Sequence, residues 1–174
     1  MAPTTDEAQR AWIRQNLSQW EGPLLRYATK IVGDVDVARD VVQDTFVKLC
    51  QQERASVEGH VAQWLFTVCR NRALDVRRRE NRMNTQSMSA AQEVASSGPA
   101  PSDVAEARQD RSRILGAMDT LPENQRECLR LKFQNGMSYK EISAITGLSV
   151  TNVGYLIHVG IKALRADLTG GATS

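Results

Sequence analysis

The run Ser138-Tyr139-Lys140-Glu141-Ile142-Ser143-Ala144-Ile145-Thr146-Gly147-Leu148-Ser149-Val150-Thr151-Asn152-Val153-Gly154-Tyr155-Leu156-Ile157-His158 carries the most structural information in the chain. Ser138 followed three residues later by Glu141 is a capping box, which opens a helix by satisfying two of its orphan N–H groups. Ile142 and Ile145 fall inside that short helix. Gly147-Leu148-Ser149 predicts a tight turn, and Ser149 is an N-cap residue for a last helix reaching about Leu168. Val150, Val153, Ile157, Ile161 and Leu164 recur at helical spacing and predict its buried face. A short helix, a glycine turn and a longer amphipathic helix make a helix-turn-helix, in which the first helix braces the second in a DNA major groove. Ser149, Thr151, Asn152 and Tyr155 would then present hydrogen-bonding groups to base edges. Lys162 and Arg165 suit phosphate contacts. An ordinary helical hairpin would show the same spacing.

Working outward, almost every apolar run has helical rather than strand periodicity, so the chain is expected to be all-α. Upstream, Asn135-Gly136 ends a helix carrying Leu129, Leu131 and Phe133, and Thr120-Leu121-Pro122-Glu123 reads as a second capping box. Ile114, Leu115 and Met118 mark the helix before it. At the other end, Trp12, Ile13, Leu17 and Trp20 predict a first helix. Gly22-Pro23 then opens a second, with Leu24, Leu25, Ala28, Ile31 and Val32 as its stripe. Gly33 suits a C′ position and Asp34 or Asp36 the next N-cap. Val37, Val41, Thr45, Phe46 and Leu49 share a face of the helix that follows. Residues 51–60 read as a loop. Val61, Trp64, Leu65 and Val68 form the expected stripe of a helix running to about Arg82.

The chain holds 174 residues, with 22 Lys and Arg against 20 Asp and Glu. The near balance conceals an uneven distribution. Residues 1–60 are net −2, residues 61–82 net +4, residues 83–107 net −3 and residues 108–174 net +3. Blocks of this kind point to a polyanion partner. Residues 83–107 have no basic residue and are rich in Ser, Ala and Pro, the composition of a flexible linker. Two small helical domains are therefore expected, 1–82 and 108–174, joined by a flexible tether at 83–107. No apolar run approaches a membrane span, so no membrane insertion is expected. The N-terminus lacks a basic-then-apolar leader, which predicts a cytoplasmic protein. Cys50, Cys69 and Cys128 are far apart and form no CxxC pair, against both a disulfide framework and a zinc site.

Three features bear on chemistry. Arg70, Arg72, Arg77, Arg78, Arg79 and Arg82 crowd the end of one helix with only Asp75 and Glu80 among them. That density can track a phosphate backbone, although charge runs are more often solvated faces. Asp40 and Asp44 are paired carboxylates four residues apart, which could form a solvated acidic face, a docking face for a basic partner, or a metal-dependent nuclease site. His60 and His158 have no companions at ligand spacing. Trp64 fits a packing role or a base-stacking one. The standard nucleotide-binding and hydrolase signatures are missing. No cofactor, no metal and no enzymatic activity are expected.

Together these pieces carry a resemblance. The order runs Gly33-Asp34, then Ala38-Arg39-Asp40-Val41-Val42-Gln43-Asp44-Thr45-Phe46, then Trp64-Leu65-Phe66-Thr67-Val68-Cys69-Arg70-Asn71-Arg72-Ala73-Leu74-Asp75-Val76-Arg77-Arg78. Leu121-Pro122-Glu123-Asn124-Gln125-Arg126-Glu127 and the helix-turn-helix follow the linker. Over residues 20–168 the chain resembles the extracytoplasmic-function (ECF, group 4) sigma factors of the sigma-70 family of bacterial RNA polymerase. The resemblance implies that Asp40, Gln43 and Asp44 dock on the clamp of the polymerase β′ subunit, with Phe46 mainly in the core. It implies that Asn71, Arg72, Asp75, Arg77, Arg78 and Arg79 engage the promoter −10 element. Residues 51–60 resemble the family loop that captures an unstacked base. The C-terminal domain would read the −35 element through Ser149, Thr151, Asn152, Tyr155, Lys162 and Arg165 and touch the β flap. The expected partners are core RNA polymerase, promoter DNA and an anti-sigma factor. The alternative is a stand-alone helix-turn-helix regulator, which would need a dimer interface. The chain departs from the family in two places. No basic residue follows Thr151 until Lys162, and Ser143 stands where a small Ala is usual.

Overall fold

The computed structural model describes residues 5–86 and 105–170. They are helical, and no β-strand occurs among them. The helices are α1 (Thr5–Val32), α2 (Val35–Cys50), α3 (Arg54–Val57), α4 (Val61–Gln86), α5 (Ala105–Asp119), α6 (Glu123–Leu129), α7 (Tyr139–Thr146) and α8 (Val150–Gly170). The chain divides into two compact units, Met1–Val94 and Ala95–Ser174. α4 runs past Arg82 to Gln86 and α5 begins at Ala105, so helix extends into both ends of the expected tether. The remainder of that segment, 87–104, lies outside the described residues. No single helix among the described residues is long and apolar enough to cross a membrane.

In the first unit α1, α2 and α4 pack on one another. The expected break at Gly22-Pro23 does not occur, and Pro23 lies inside α1. An interior proline removes one ladder hydrogen bond and crowds the preceding turn, at a cost of about 3 kcal/mol. Burial on both sides of it outweighs that cost. Trp12 and Asn16 are buried before it, and Leu24, Tyr27 and Ala28 after it. Trp20 and Tyr27 both pack on Phe66 of α4, with ring centroids 6.1 and 5.1 Å away. Gly33 leaves α1 with φ +82°, the left-handed conformation that glycine adopts without a Cβ penalty. Asp34 then caps α2, its carboxylate accepting from the Asp36 and Val37 amides at 2.8 and 2.9 Å.

α4 is turned relative to the expected stripe. Leu65, Phe66, Cys69 and Ala73 are its buried residues, while Val61, Trp64 and Val68 are half-buried. Residues 61–69 are apolar nearly all round, so spacing alone cannot choose between adjacent faces; the rings of α1 choose. Residues 51–60 are not an open loop. They fold into α3 and a 3₁₀ turn at Glu58–His60, pinned by the buried Val57.

In the second unit α8 packs against α5, α6 and α7. The Ser138 capping box forms as expected: Ser138 Oγ accepts from the Glu141 amide and Glu141 accepts from the Ser138 amide. Thr120 is not the cap of α6. α6 starts at Glu123 with Pro122 at the cap position, and the Thr120 hydroxyl donates back to the Ala117 carbonyl at 2.8 Å. α5 ends where that box would begin, so its last carbonyls compete for the hydroxyl. Past α6 the backbone widens into a π turn at Arg130–Gln134. The turn buries Leu131 but leaves Phe133 66% exposed, against the expectation of a core residue.

The buried side of α8 is Val153, Ile157 and Gly160; Val150 is exposed, and Ile161 and Leu164 are half-buried. Gly160 is the closest approach. A Cβ there would lie 2.8 Å from Leu129 Cδ1 and 3.4 Å from Leu129 Cγ. Gly154 differs, because a Cβ would meet only the Tyr139 ring at an ordinary 3.5 Å. Two substitutions in one helix should therefore have opposite signs. Gly160→Val is expected to destabilise the second unit by about 2 kcal/mol through overpacking. Gly154→Ala should stabilise it by roughly 0.5–1 kcal/mol through helix propensity. Urea unfolding of the full chain by circular dichroism measures both. Tryptophan fluorescence is the control, because Trp12, Trp20 and Trp64 all lie in the first unit.

Candidate nucleic-acid interface

The outer face of α2 follows from its inner one. Ala38, Val41, Val42, Thr45, Phe46 and Leu49 are buried, so Asp40 and Gln43 point outward and are exposed. Phe46 is in the core. Val47, at helical spacing from Asp40 and Gln43, is 51% exposed and adds an apolar position to the strip. Its i+7 spacing from Asp40 was the available sequence signal. Asp44 is half-buried, and its Oδ2 accepts from Arg72 Nε of α4 at 2.8 Å. Two residues expected at separate sites thus meet across the α2–α4 contact. Side-chain exposure is 47% for Asp44 and 33% for Arg72. A pair of that exposure is worth about 1 kcal/mol or less.

α4 continues beyond its last buried residue, Ala73, for more than three turns. On this projecting half Asp75, Arg78, Arg79 and Arg82 are exposed and Arg77 is half-buried; Asn71, exposed, lies just before it. Arg78 donates to Asp75 at 3.3 Å. Apart from Asn71 and Arg72, the residues expected at the −10 element therefore occupy one overhanging helix end, a geometry open to an extended strand.

Beside the α1–α4 body, α3 and the start of α1 enclose an open groove of about 650 Å³. Asp6, Gln9, Gln52 and Arg54 are among its walls. The Arg54 guanidinium lies 6.0 Å from the Trp12 ring centroid and pairs with Glu58. Gln9 Nε2 donates to the Gln52 carbonyl at 3.3 Å.

In the second unit α7 and α8 meet with a bend of 105°, inside the range for a helix-turn-helix. Gly147 closes α7 with φ +76°, and its amide bonds the Ser143 carbonyl at 2.9 Å. The Ser143 hydroxyl donates to the Leu148 carbonyl at 2.6 Å, so the unusual serine ties the turn. Ser149 caps α8 by accepting from the Asn152 amide at 3.1 Å, which commits its oxygen while leaving its O–H free to donate. Thr151, Asn152, Tyr155, Lys162 and Arg165 are all exposed. His158, set aside in the sequence reading, is exposed on the same side, at i+3 from Tyr155 and four residues before Lys162. Tyr139 lies against Gly154 and has Lys132 Nζ 5.3 Å from its ring.

The unit is braced from behind by Arg130, which is buried and donates to Asp119 at 3.1 Å. Burial lowers the Arg130 pKa, with Arg126 acting in the same direction and Asp119 opposing. No group of three or more His, Cys, Asp or Glu able to hold a metal ion occurs among the described residues.

These features define a protein of two helical units, one bearing an arginine-rich helix end and the other a helix-turn-helix. The family description "Sigma-70 region 2" matches residues 17–83, and "Sigma-70, region 4" matches residues 111–164. The chain is 32% identical over 134 residues to the ECF RNA polymerase sigma factor EcfG of Rhodopseudomonas palustris, covering 75% of this chain and 71% of that one. It is 29% identical over 165 residues to SigL of Mycobacterium tuberculosis, covering 92% and 91%. Among solved structures, the sigma factor RpoE of Bartonella quintana, in complex with the anti-sigma factor NepR, matches with TM-score 0.69 at 24% identity. That match covers 90% of this chain and 96% of the other. CnrH, in complex with the cytosolic domain of CnrY, matches with TM-score 0.55 at 26% identity, covering 95% and 91%. The chain belongs to the ECF sigma factors of the sigma-70 family and is an RNA polymerase sigma factor.

The α2–α4 contact also sets the thiol chemistry. Cys69 is buried beside Thr45, and burial pushes its pKa up to about 12, only partly offset by the Thr45 hydrogen bond. Cys128 is buried and Cys50 exposed. A maleimide at neutral pH should label Cys50 alone in the folded chain, and all three cysteines after denaturation, as read by intact mass. Rapid native labelling of Cys69 would contradict this packing.

Proposed function

We propose that the chain is the promoter-specificity subunit of RNA polymerase with its work divided among three surfaces. The α2 strip of Asp40, Gln43 and Asp44, extended by Val47, docks on a basic partner surface, the β′ clamp of core polymerase. The projecting end of α4, with Asn71, Arg72, Asp75, Arg77, Arg78 and Arg79, engages the −10 element. The α8 face of Ser149, Thr151, Asn152 and Tyr155 reads the −35 element, with Lys162 and Arg165 on phosphates and the second unit against the β flap. The groove beside α3 receives an unstacked base. Residues 83–107 tether domains at 1–82 and 108–174. The protein performs no chemistry itself and acts in the cytoplasm, where its promoter is.

One observation carries this reading: regions 2 and 4 occur in order in one chain, and each carries an exposed helix surface of the required chemistry. The arginine end supplies phosphate contacts, and the polar start of α8 supplies base-edge contacts. The relative CnrH was solved with the cytosolic domain of CnrY, which supports a further protein partner, read here as the anti-sigma factor that the resemblance implies. Such an anti-sigma factor would cover the α2 strip.

The test is transcription reconstituted from core polymerase and the purified chain, on promoters mapped by overexpression. Initiation at those starts should require the chain. Arg78→Ala with Arg79→Ala should lower initiation roughly tenfold or more and flatten the log–log salt dependence by about 1.4. Asp40→Ala should weaken core binding while leaving the DNA salt slope unchanged. Protection of a specific duplex by the chain alone, with no effect of core polymerase, would overturn the reading in favour of a stand-alone regulator.

A further inference from the structure

The outer side of the helix-turn-helix is set apart by the residue types it leaves out. Between Lys140 and Lys162 the chain has no lysine or arginine, and between Glu141 and Asp167 it has no aspartate or glutamate. Over the first three turns of α8 the exposed polar residues are instead Ser149 at the cap, then Thr151, Asn152, Tyr155 and His158. Cations stand only at the two ends of this stretch. Lys140 is exposed in the first turn of α7. Lys162 is exposed on α8, ten residues after Asn152 and so about 15 Å further along the axis. It lies over a different part of any duplex that Asn152 touches.

Each base has a preferred partner in the major groove. Guanine takes two donors from one Arg or Lys, and cytosine donates its N4–H to a carboxylate. Adenine matches the donor and acceptor of one Asn or Gln amide, and thymine presents its methyl to an apolar surface. The exposed start of α8 holds no partner of the first two kinds and both of the last two. Asn152 supplies the amide. The Tyr155 ring, 63% exposed, supplies the apolar surface. The two are three residues apart, about 4.5 Å along the axis, close to one base step of about 3.4 Å. The Ser149 and Thr151 hydroxyls suit either kind of pair. A neutral His158 has a single N–H, one bond where an arginine gives guanine two. We infer that α8 reads a −35 element defined by neighbouring A·T pairs, with Asn152 on adenine N6 and N7 and the Tyr155 ring against a thymine methyl. The inference rests on the assignment of α8 to the −35 element. A G·C pair in that place leaves its groove atoms without partners, which costs affinity. Phosphate anchoring falls to Lys140, on the helix that crosses the backbone, and to Lys162 and Arg165 beyond the read pairs.

Holoenzyme assembled from core polymerase and the full chain tests this on a mapped promoter randomised across its −35 element. Promoter complexes are captured and their DNA is sequenced. The wild type is expected to enrich neighbouring A·T pairs with no fixed G·C pair among them. Asn152→Ala should lower the preference for one adenine roughly fivefold or more, the worth of one bidentate pair, and leave the other positions as they were. Single-atom changes in the selected DNA then identify the contacts. 7-Deazaadenine at that position removes the N7 acceptor. It should weaken the wild-type complex severalfold and cause no further loss in Asn152→Ala. Deoxyuridine in place of the selected thymine removes one methyl. It should weaken the wild-type complex about two- to fourfold and have no effect in Tyr155→Ala. Tyr155→Phe keeps the ring and should keep the deoxyuridine effect.

A fixed G·C pair whose selection is lost in Asn152→Ala, Tyr155→Ala or His158→Ala would overturn the inference while leaving α8 as the reader. A·T pairs whose selection ignores these variants and 7-deazaadenine would overturn it in favour of readout of duplex shape. If no −35 sequence is enriched although initiation still requires the chain, the assignment of α8 to the −35 element fails, and the inference with it. The three side chains are exposed, so truncating them leaves the buried side of α8 intact. Circular dichroism checks each variant, and one that unfolds is replaced by Asn152→Ser, Tyr155→Ser or His158→Gln.

Discussion

The first unit depends on how α4 is divided along its length. Its first half is clamped, with Leu65, Phe66, Cys69 and Ala73 buried against α1 and α2 and the Phe66 ring held by Trp20 and Tyr27. Its second half holds no fully buried residue among those described, and Arg78, Arg79 and Arg82 are exposed on it. A helix keeps its direction and phase, so clamping the first half aims every arginine of the second. Rigidity matters more than charge here, because an unfolded basic run would have to be ordered at the moment of binding. The same clamp orients α2, whose outer strip is the back of the face that sets Thr45 beside Cys69.

The second unit solves a related problem with a different device. α8 must be held from one side and left bare on the other. Gly160 lets it approach α6 closely enough for Leu129 to fill the gap, and the Ser143 and Ser149 hydroxyls fix the turn that sets its start. Arg130 is buried to do this, at a desolvation cost that lowers its pKa and that Asp119 offsets through a charged hydrogen bond. The exposed start of α8 has no cation before Lys162, so its affinity for duplex must come from polar contacts and from tethering to a larger complex.

What the sequence made legible, and what it did not, follows the same physics. Local chemistry was readable: the Asp34 cap, the Gly33 and Gly147 exits, and the Ser138 box are set by residues within four positions of each other. The assignment to a family was readable for the same reason, since it rests on ordered local motifs. Tertiary choices were not. Pro23 reads as a helix start until Tyr27 and Trp20 are seen gripping the same ring. The face of α4 is ambiguous because residues 61–69 are apolar nearly all round, Gln63 and Thr67 apart. Gly160 looks like an ordinary helix weakness until Leu129 is found 2.8 Å from its absent Cβ. The outward position of Phe133 depends on a π turn, which residue spacing does not announce.

The candidate surfaces separate along the same line. Asp40, Gln43, Thr151, Asn152 and Tyr155 were readable as exposed because each is the polar complement of a periodic apolar stripe. Asp44 and Arg72 were readable as charged but not as partners, because 28 residues separate them and only the crossing of α2 and α4 brings them together. That crossing gives the balance of charge in the sequence a physical meaning. It engages one charge from each surface, Asp44 and Arg72, and leaves Asp40 on the acidic strip and Arg79 on the basic helix end exposed.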